Sequence, residues 1–166
     1  QRRPTDEIDA TRGFARRSLG RMAVRPIPPG YHTITPFLTV HDGDAILEFV
    51  KRALDARELS PPTRRADGRL AHVELRIGDS NLMLSEGTAE WPPMPCSLYL
   101  YVPDVDAVYA QAIAAGATSV REPTDEYYGD RSAGVKDASG NYWWIATHIE
   151  DVAPDELARR AAARGK

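Results

Sequence analysis

The feature that most constrains this 166-residue chain is an internal repeat with a period near 62 residues. Phe37-Leu38-Thr39-Val40 corresponds to Tyr99-Leu100-Tyr101-Val102, and Asp44-Ala45-Ile46 to Asp106-Ala107-Val108. Arg69, Ala71 and Val73 match Arg131, Ala133 and Val135, and Gly78 matches Gly140. No single match is significant; their shared spacing and order are what count. A unit used twice predicts one domain of paired modules around a cleft.

Each copy reads as a strand, a helix and three further strands. Strands are predicted at 33–41 and 96–102, and helices at 43–55 and 104–115. The remaining strands fall at 57–64, 69–78 and 81–86, then at 118–123, 130–137 and 141–149. Ile46, Leu47, Val50 and Leu54 place an apolar stripe on the first helix, and Val105, Val108, Ala112 and Ala115 on the second. The expected fold class is α+β: two βαβββ modules, about 31–88 and 96–150, within a domain spanning 26–152.

Strand alternation assigns faces. Ile34, Leu38 and Val40 oppose Thr35, Phe37 and Thr39; Val73, Leu75 and Ile77 oppose His72, Glu74 and Arg76. In the second copy Leu98, Leu100 and Val102 oppose Ser97, Tyr99 and Tyr101, while Trp143 and Ile145 oppose Tyr142, Trp144, Ala146 and His148. The aliphatic sides should pack on the helices. The other side carries Phe37, Tyr99, Tyr101, Tyr142 and Trp144, rings that suit a half-wet ligand pocket or, alternatively, a seam between modules or subunits.

The flanks differ in composition. Residues 1–25 form an arginine-rich extension with a helical pattern (Ile8, Ala15, Leu19) ahead of a proline-rich joint at Pro26, Pro28 and Pro29. Met22 is a candidate start of the ancestral domain. Residues 153–166 read as a charged surface helix with Pro154 in its first turn. The net charge of −3 offers no basic field, so nucleic acid is not an expected partner. No apolar run approaches the ~20 residues of a membrane span. The polar N-terminus shows no secretory signal, and the lone Cys96 excludes an internal disulfide, so a cytoplasmic setting is expected.

Several segments carry a resemblance: Gly30-Tyr31-His32-Thr33-Ile34-Thr35-Pro36, His72-Val73-Glu74-Leu75-Arg76-Ile77-Gly78-Asp79-Ser80, Val102-Pro103-Asp104-Val105-Asp106-Ala107 and Ala114-Ala115-Gly116-Ala117. Gly129-Asp130-Arg131 and the stretch from Trp143 to Asp151 add to it. Through them the chain resembles the vicinal-oxygen-chelate superfamily, which includes glyoxalase I, bleomycin-resistance proteins and extradiol dioxygenases, and within it the PhnB-like group. The resemblance implies paired βαβββ modules, each curling into half of a cleft, and commonly a homodimer. Whether modules pair within or between chains stays open. Leu54-Asp55-Ala56 stands where Phe-Gly-Ala is frequent, a turn variation.

The superfamily's metalloenzymes place His or Glu at four cleft positions. By motif these are Thr35, Met83, Ser97 and Trp144 here. A divalent metal wants imidazole or carboxylate ligands, and an indole nitrogen only donates. No cofactor is therefore expected, and a divalent metal is disfavoured. The expected function is small-molecule binding without the usual metal site.

Two other features retain chemical potential. His72 and Glu74 share the cleft face and are candidate acid–base groups or ligands of a non-standard metal site in a lyase, isomerase or dioxygenase. The competing reading is a hydrogen-bonded histidine, with Glu74 paired to Arg76 or Arg131. Arg131 is a candidate anchor for an anionic ligand, or else pairs internally with Asp130. Trp91 in the linker is a candidate lid or interface residue, and a dimeric scaffold without ligand is the third functional alternative.

Overall fold

The computed structural model describes residues 24–165. The N-terminal extension expected over 1–25 lies almost wholly outside the described residues. The first module comprises β1 (Phe37–Val40), α1 (Gly43–Leu54), β2 (Arg57–Glu58), β3 (Thr63–Arg64), β4 (Leu70–Ile77) and β5 (Ser80–Glu86). The second comprises β6 (Ser97–Tyr101), α2 (Val105–Ala114), β7 (Thr118–Asp125), β8 (Asp130–Lys136) and β9 (Tyr142–His148). A last helix, α3 (Pro154–Ala163), follows.

The two sheets share one plan. In the first, the order is β1-β5-β4-β2, with β3 also pairing with β4; in the second it is β6-β9-β8-β7. Each opening strand lies parallel to its module's last strand, Leu38 opposite Leu84 and Leu100 opposite Ile145. The crossover through the helix makes that parallel pairing feasible. The helices start alike, Asp42 accepting from Ala45 N at 2.9 Å and Asp104 from Ala107 N at 3.0 Å. Both caps satisfy amides that the first helical turn leaves without an internal partner.

The helix-facing sides of both sheets close over one core. Leu38, Val40, Val73, Leu75 and Leu84 of the first module join Ala133, Val135, Trp143 and Ile145 of the second in that cluster. Phe49 of α1 reaches the second sheet, its ring centroid 6.2 Å from that of Trp143. α1 and α2 also pack on each other. The two modules of one chain are thus joined through their helix side.

Asp137 fixes the β8–β9 turn. It accepts from Ser139 N, Asn141 N, Asn141 Nδ2 and the Trp143 indole at 2.8–3.0 Å, and is itself 4% exposed. Thr147 ties the ends of β9 and β6 to α2, accepting from Val105 N and donating to Val102 O.

Three details differ from the sequence reading. The strand expected over 57–64 is two short pieces, because Pro61 and Pro62 supply no amide to continue a ladder. The first strand starts at Phe37 rather than 33, so Ile34 escapes the alternation and is 84% exposed instead of lying in the core. The repeat also shifts within the sheets. Leu38 and Leu100 are equivalent, and their cross-strand rows end at Val73 and Ala133, 60 residues apart rather than 62. A shift of two preserves the faces.

Candidate functional site

The faces turned away from the helices carry the polar and aromatic side chains. On the first sheet, Phe37, Met83 and Glu74 lie in one cross-strand row. His72 neighbours Glu74 on this face, Nε2 to Oε1 3.7 Å, and the Phe37 ring packs 5.9 Å from the imidazole. Glu74, Met83 and Thr35 line a cavity of about 550 Å³ whose other walls include Tyr31 and Pro26–Pro28. The Tyr31 hydroxyl titrates above the ordinary tyrosine value, chiefly through its closeness to the Glu74 carboxylate.

The second sheet is denser in chemistry. Tyr99, Trp144 and Gly134 form one row, with Arg121 beyond them on β7. Gly134 is required here: a Cβ at that position would lie 2.6 Å from the Trp144 ring. The indole therefore lies across β8, its N–H donating to Ser97 Oγ at 3.2 Å. The Arg121 guanidinium covers it, 5.4 Å from the ring centroid, while pairing with Glu126 at 2.8 Å and donating to Ser132 Oγ.

At the other end of this face lies Asp130, 3% exposed. Tyr101 donates its hydroxyl proton to Asp130 Oδ2 at 3.0 Å, and Tyr99 lies at 3.5 Å from the same oxygen. His148 Nδ1 is 2.8 Å from Asp130 Oδ1, and its Nε2 is 3.0 Å from Asp151 Oδ1. A carboxylate at each ring nitrogen favours the doubly protonated imidazolium form of His148, since ionised carboxylates only accept. The hydrogen bonds to Asp151 and then Asp130 raise its pKa above the ordinary histidine value. Tyr99 is pushed up mainly by burial, then by Tyr128 and Asp130; Tyr101 is pushed up mainly by its bond to Asp130.

The structure brings together Tyr99, Tyr101 and Trp144, with Tyr142 on the same face of β9. Phe37 shares its face with His72 and Glu74 on the other sheet. Between the sheets, a crevice of about 1010 Å³ separates Leu98–Val102 from the β4–β5 turn and the 32–36 segment.

Arg131 does not join this surface. It alternates with Asp130, so it points to the helix side. There it makes a two-pronged ion pair with Asp106 at 2.7 and 2.8 Å and a third contact with Asp125 at 2.8 Å. Asp130 and Arg131 face opposite ways and do not pair. Nor does Glu74 pair with Arg76, whose guanidinium donates to the carbonyls of Asp79 and Gly30. The groups on this face that the sequence did not single out are Arg121, Glu126 and the Asp130–His148 pair. Alternation along β9 placed His148 on this face, but only the register brings Asp130 opposite it.

This architecture is shared with known proteins. The profile of the Glyoxalase/Bleomycin resistance protein/Dioxygenase superfamily matches residues 30–145. The chain belongs to that superfamily. An uncharacterized protein of Mycobacterium bovis is 32% identical over 143 residues, 80% of this chain and 93% of that protein. TioX from Micromonospora sp. ML1 has the same fold, with a TM-score of 0.60 and 24% identity over 70% of this chain and 98% of that one. TnmS3, an antibiotic binding protein from Streptomyces sp. CB03234, superposes with a TM-score of 0.57 and 22% identity, covering 76% of this chain and 98% of that one.

The superfamily's metal positions can be tested against the side chains present. Ser97 Oγ accepts from the Trp144 indole, and Thr35 Oγ1 donates to His32 O at 3.4 Å. With a thioether at Met83, this donor set does not fit a divalent cation. Among the described residues, no three His, Cys, Asp or Glu side chains are grouped to hold a metal ion. No described helix is long and apolar enough to cross a membrane.

Proposed function

We propose that this protein is a small-molecule-binding, PhnB-like member of the superfamily that holds its ligand on the helix-free face of the second module without a metal at the inherited position. The carrying observation is the aromatic surface of Tyr99, Tyr101 and Trp144, its two tyrosines exposed beside a buried, hydrogen-bonded Asp130. Rings with polar tips beside a fixed polar network suit a drug-sized or metabolite-sized ligand. The description of TnmS3 as an antibiotic binding protein supports a sequestering role. Tyr142 extends this surface along β9, and Phe37 offers a separate aromatic ring on the first sheet beside His72. A thermal-shift screen of metabolites and metals identifies the ligand. Trp144→Ala and Tyr101→Ala are then expected to weaken it about tenfold each. Unchanged affinity in both variants removes the assignment.

A metal-dependent lyase, isomerase or dioxygenase is the second reading, favoured by the 3.7 Å approach of His72 to Glu74. Stoichiometric metal in protein purified without chelator or affinity metal, lost in His72→Ala, would establish it. A homodimer is part of this proposal, supported by Ile34, Trp91 and Met94, each at least 70% exposed, and a cytoplasmic setting is proposed from the single cysteine.

A further inference from the structure

We propose that the Tyr99–Tyr101–Asp130 network makes its end of the cleft selective for ligands that donate hydrogen bonds, an N–H-bearing ammonium above all, and sets it against carboxylates. This deepens the proposed binding function and rests on it. The argument is one of proton count. Asp130 is 3% exposed, so its carboxylate needs protein donors. Oδ1 has His148 Nδ1 at 2.8 Å, and Oδ2 has the Tyr101 and Tyr99 hydroxyls at 3.0 and 3.5 Å.

A phenol carries one proton. Once that proton points at Asp130, the hydroxyl meets a ligand only through its lone pairs. To donate outward instead, Tyr101 would strip a buried carboxylate of a partner, which is costly. Tyr101 is 67% exposed and Tyr99 48%, so both rings are open to the cleft. Their centroids lie 5.4 Å apart at an interplanar angle of 54°, which offers π faces to a cation as well.

The neighbouring cations do not reverse this preference. His148 has one nitrogen against Asp130 and the other against Asp151. Arg121 is committed to Glu126 and Ser132 and sits over the Trp144 ring. An incoming carboxylate would face tyrosine oxygens in front and the Asp130 charge behind.

The test uses three aromatic probes on the full chain: benzylammonium, benzyltrimethylammonium and benzoate. Calorimetric titration gives affinity, and quenching of tryptophan fluorescence, absent in Trp144→Phe, locates the probe in the cleft. Benzylammonium is expected to bind at least about tenfold more tightly than either other probe. Asp130→Asn introduces an amide that itself donates, releasing the tyrosine protons, and should shrink or invert the preference. Should that variant fold poorly, Tyr101→Phe keeps the ring; it should weaken benzylammonium and leave benzyltrimethylammonium unchanged. Equal binding of the two ammonium probes overturns the hydrogen-bond selectivity. Tighter binding of benzoate with Trp144-dependent quenching overturns it while leaving the cleft in place. Failure of all three probes to reach Trp144 at millimolar concentration counts against the cleft itself as well as the selectivity.

Discussion

At the scale of single residues, two buried carboxylates do different work. Asp137 gathers four donors around the β8–β9 turn and holds the Trp143 indole in the core. Asp137→Ala leaves those donors without their acceptor, and thermal or urea melts should show a loss of about 3 kcal/mol. Asp130 instead links the cleft tyrosines to His148. Because the imidazolium is the form the fold stabilises, the His148 contribution is complete below the ordinary histidine value. It is lost as pH rises through the elevated folded value. An NMR titration should place the His148 midpoint above ~6.5, and Asp151→Asn should bring it down. A midpoint unmoved by that substitution would contradict the two-carboxylate clamp.

At the scale of elements, the helix termini and one glycine set the geometry. Asp42→Ala removes the cap of α1 and should cost about 1 kcal/mol in melting experiments. α1 ends with Asp55 in the left-handed region at φ 51°. Asp55→Gly should therefore be neutral or stabilising by about 0.5 kcal/mol, the backbone relief offsetting glycine's extra entropy. Gly134 leaves room for the Trp144 ring against β8 and beneath Arg121. Gly134→Val should displace the indole, with a shift in tryptophan emission and loss of cleft binding before any large loss of secondary structure. The α3 helix buries none of its residues and is held by Arg160, which makes two contacts with Glu150 at 2.7 and 2.8 Å. Removing that exposed pair should leave the thermal midpoint of the domain almost unchanged, since solvent screens it.

At the scale of the whole molecule, two sheets share one core on the helix side and leave their aromatic faces open. A homodimer covering part of that surface would show twice the chain mass in light scattering; a monomer at that measurement removes the dimeric scaffold reading. The sequence by itself determined the doubled unit, the positions of the two module helices and most of the aliphatic faces. These follow from periodicity and residue type, which act locally along the chain. Only the tertiary structure decided that Arg131 serves Asp106 and Asp125 while Arg121 pairs with Glu126 over the Trp144 ring. It alone brought Asp130, His148, Tyr99 and Tyr101 into one hydrogen-bonded group. Register across β6, β9, β8 and β7 is a long-range property, set by how four strands slide against one core, and local alternation carries no record of it.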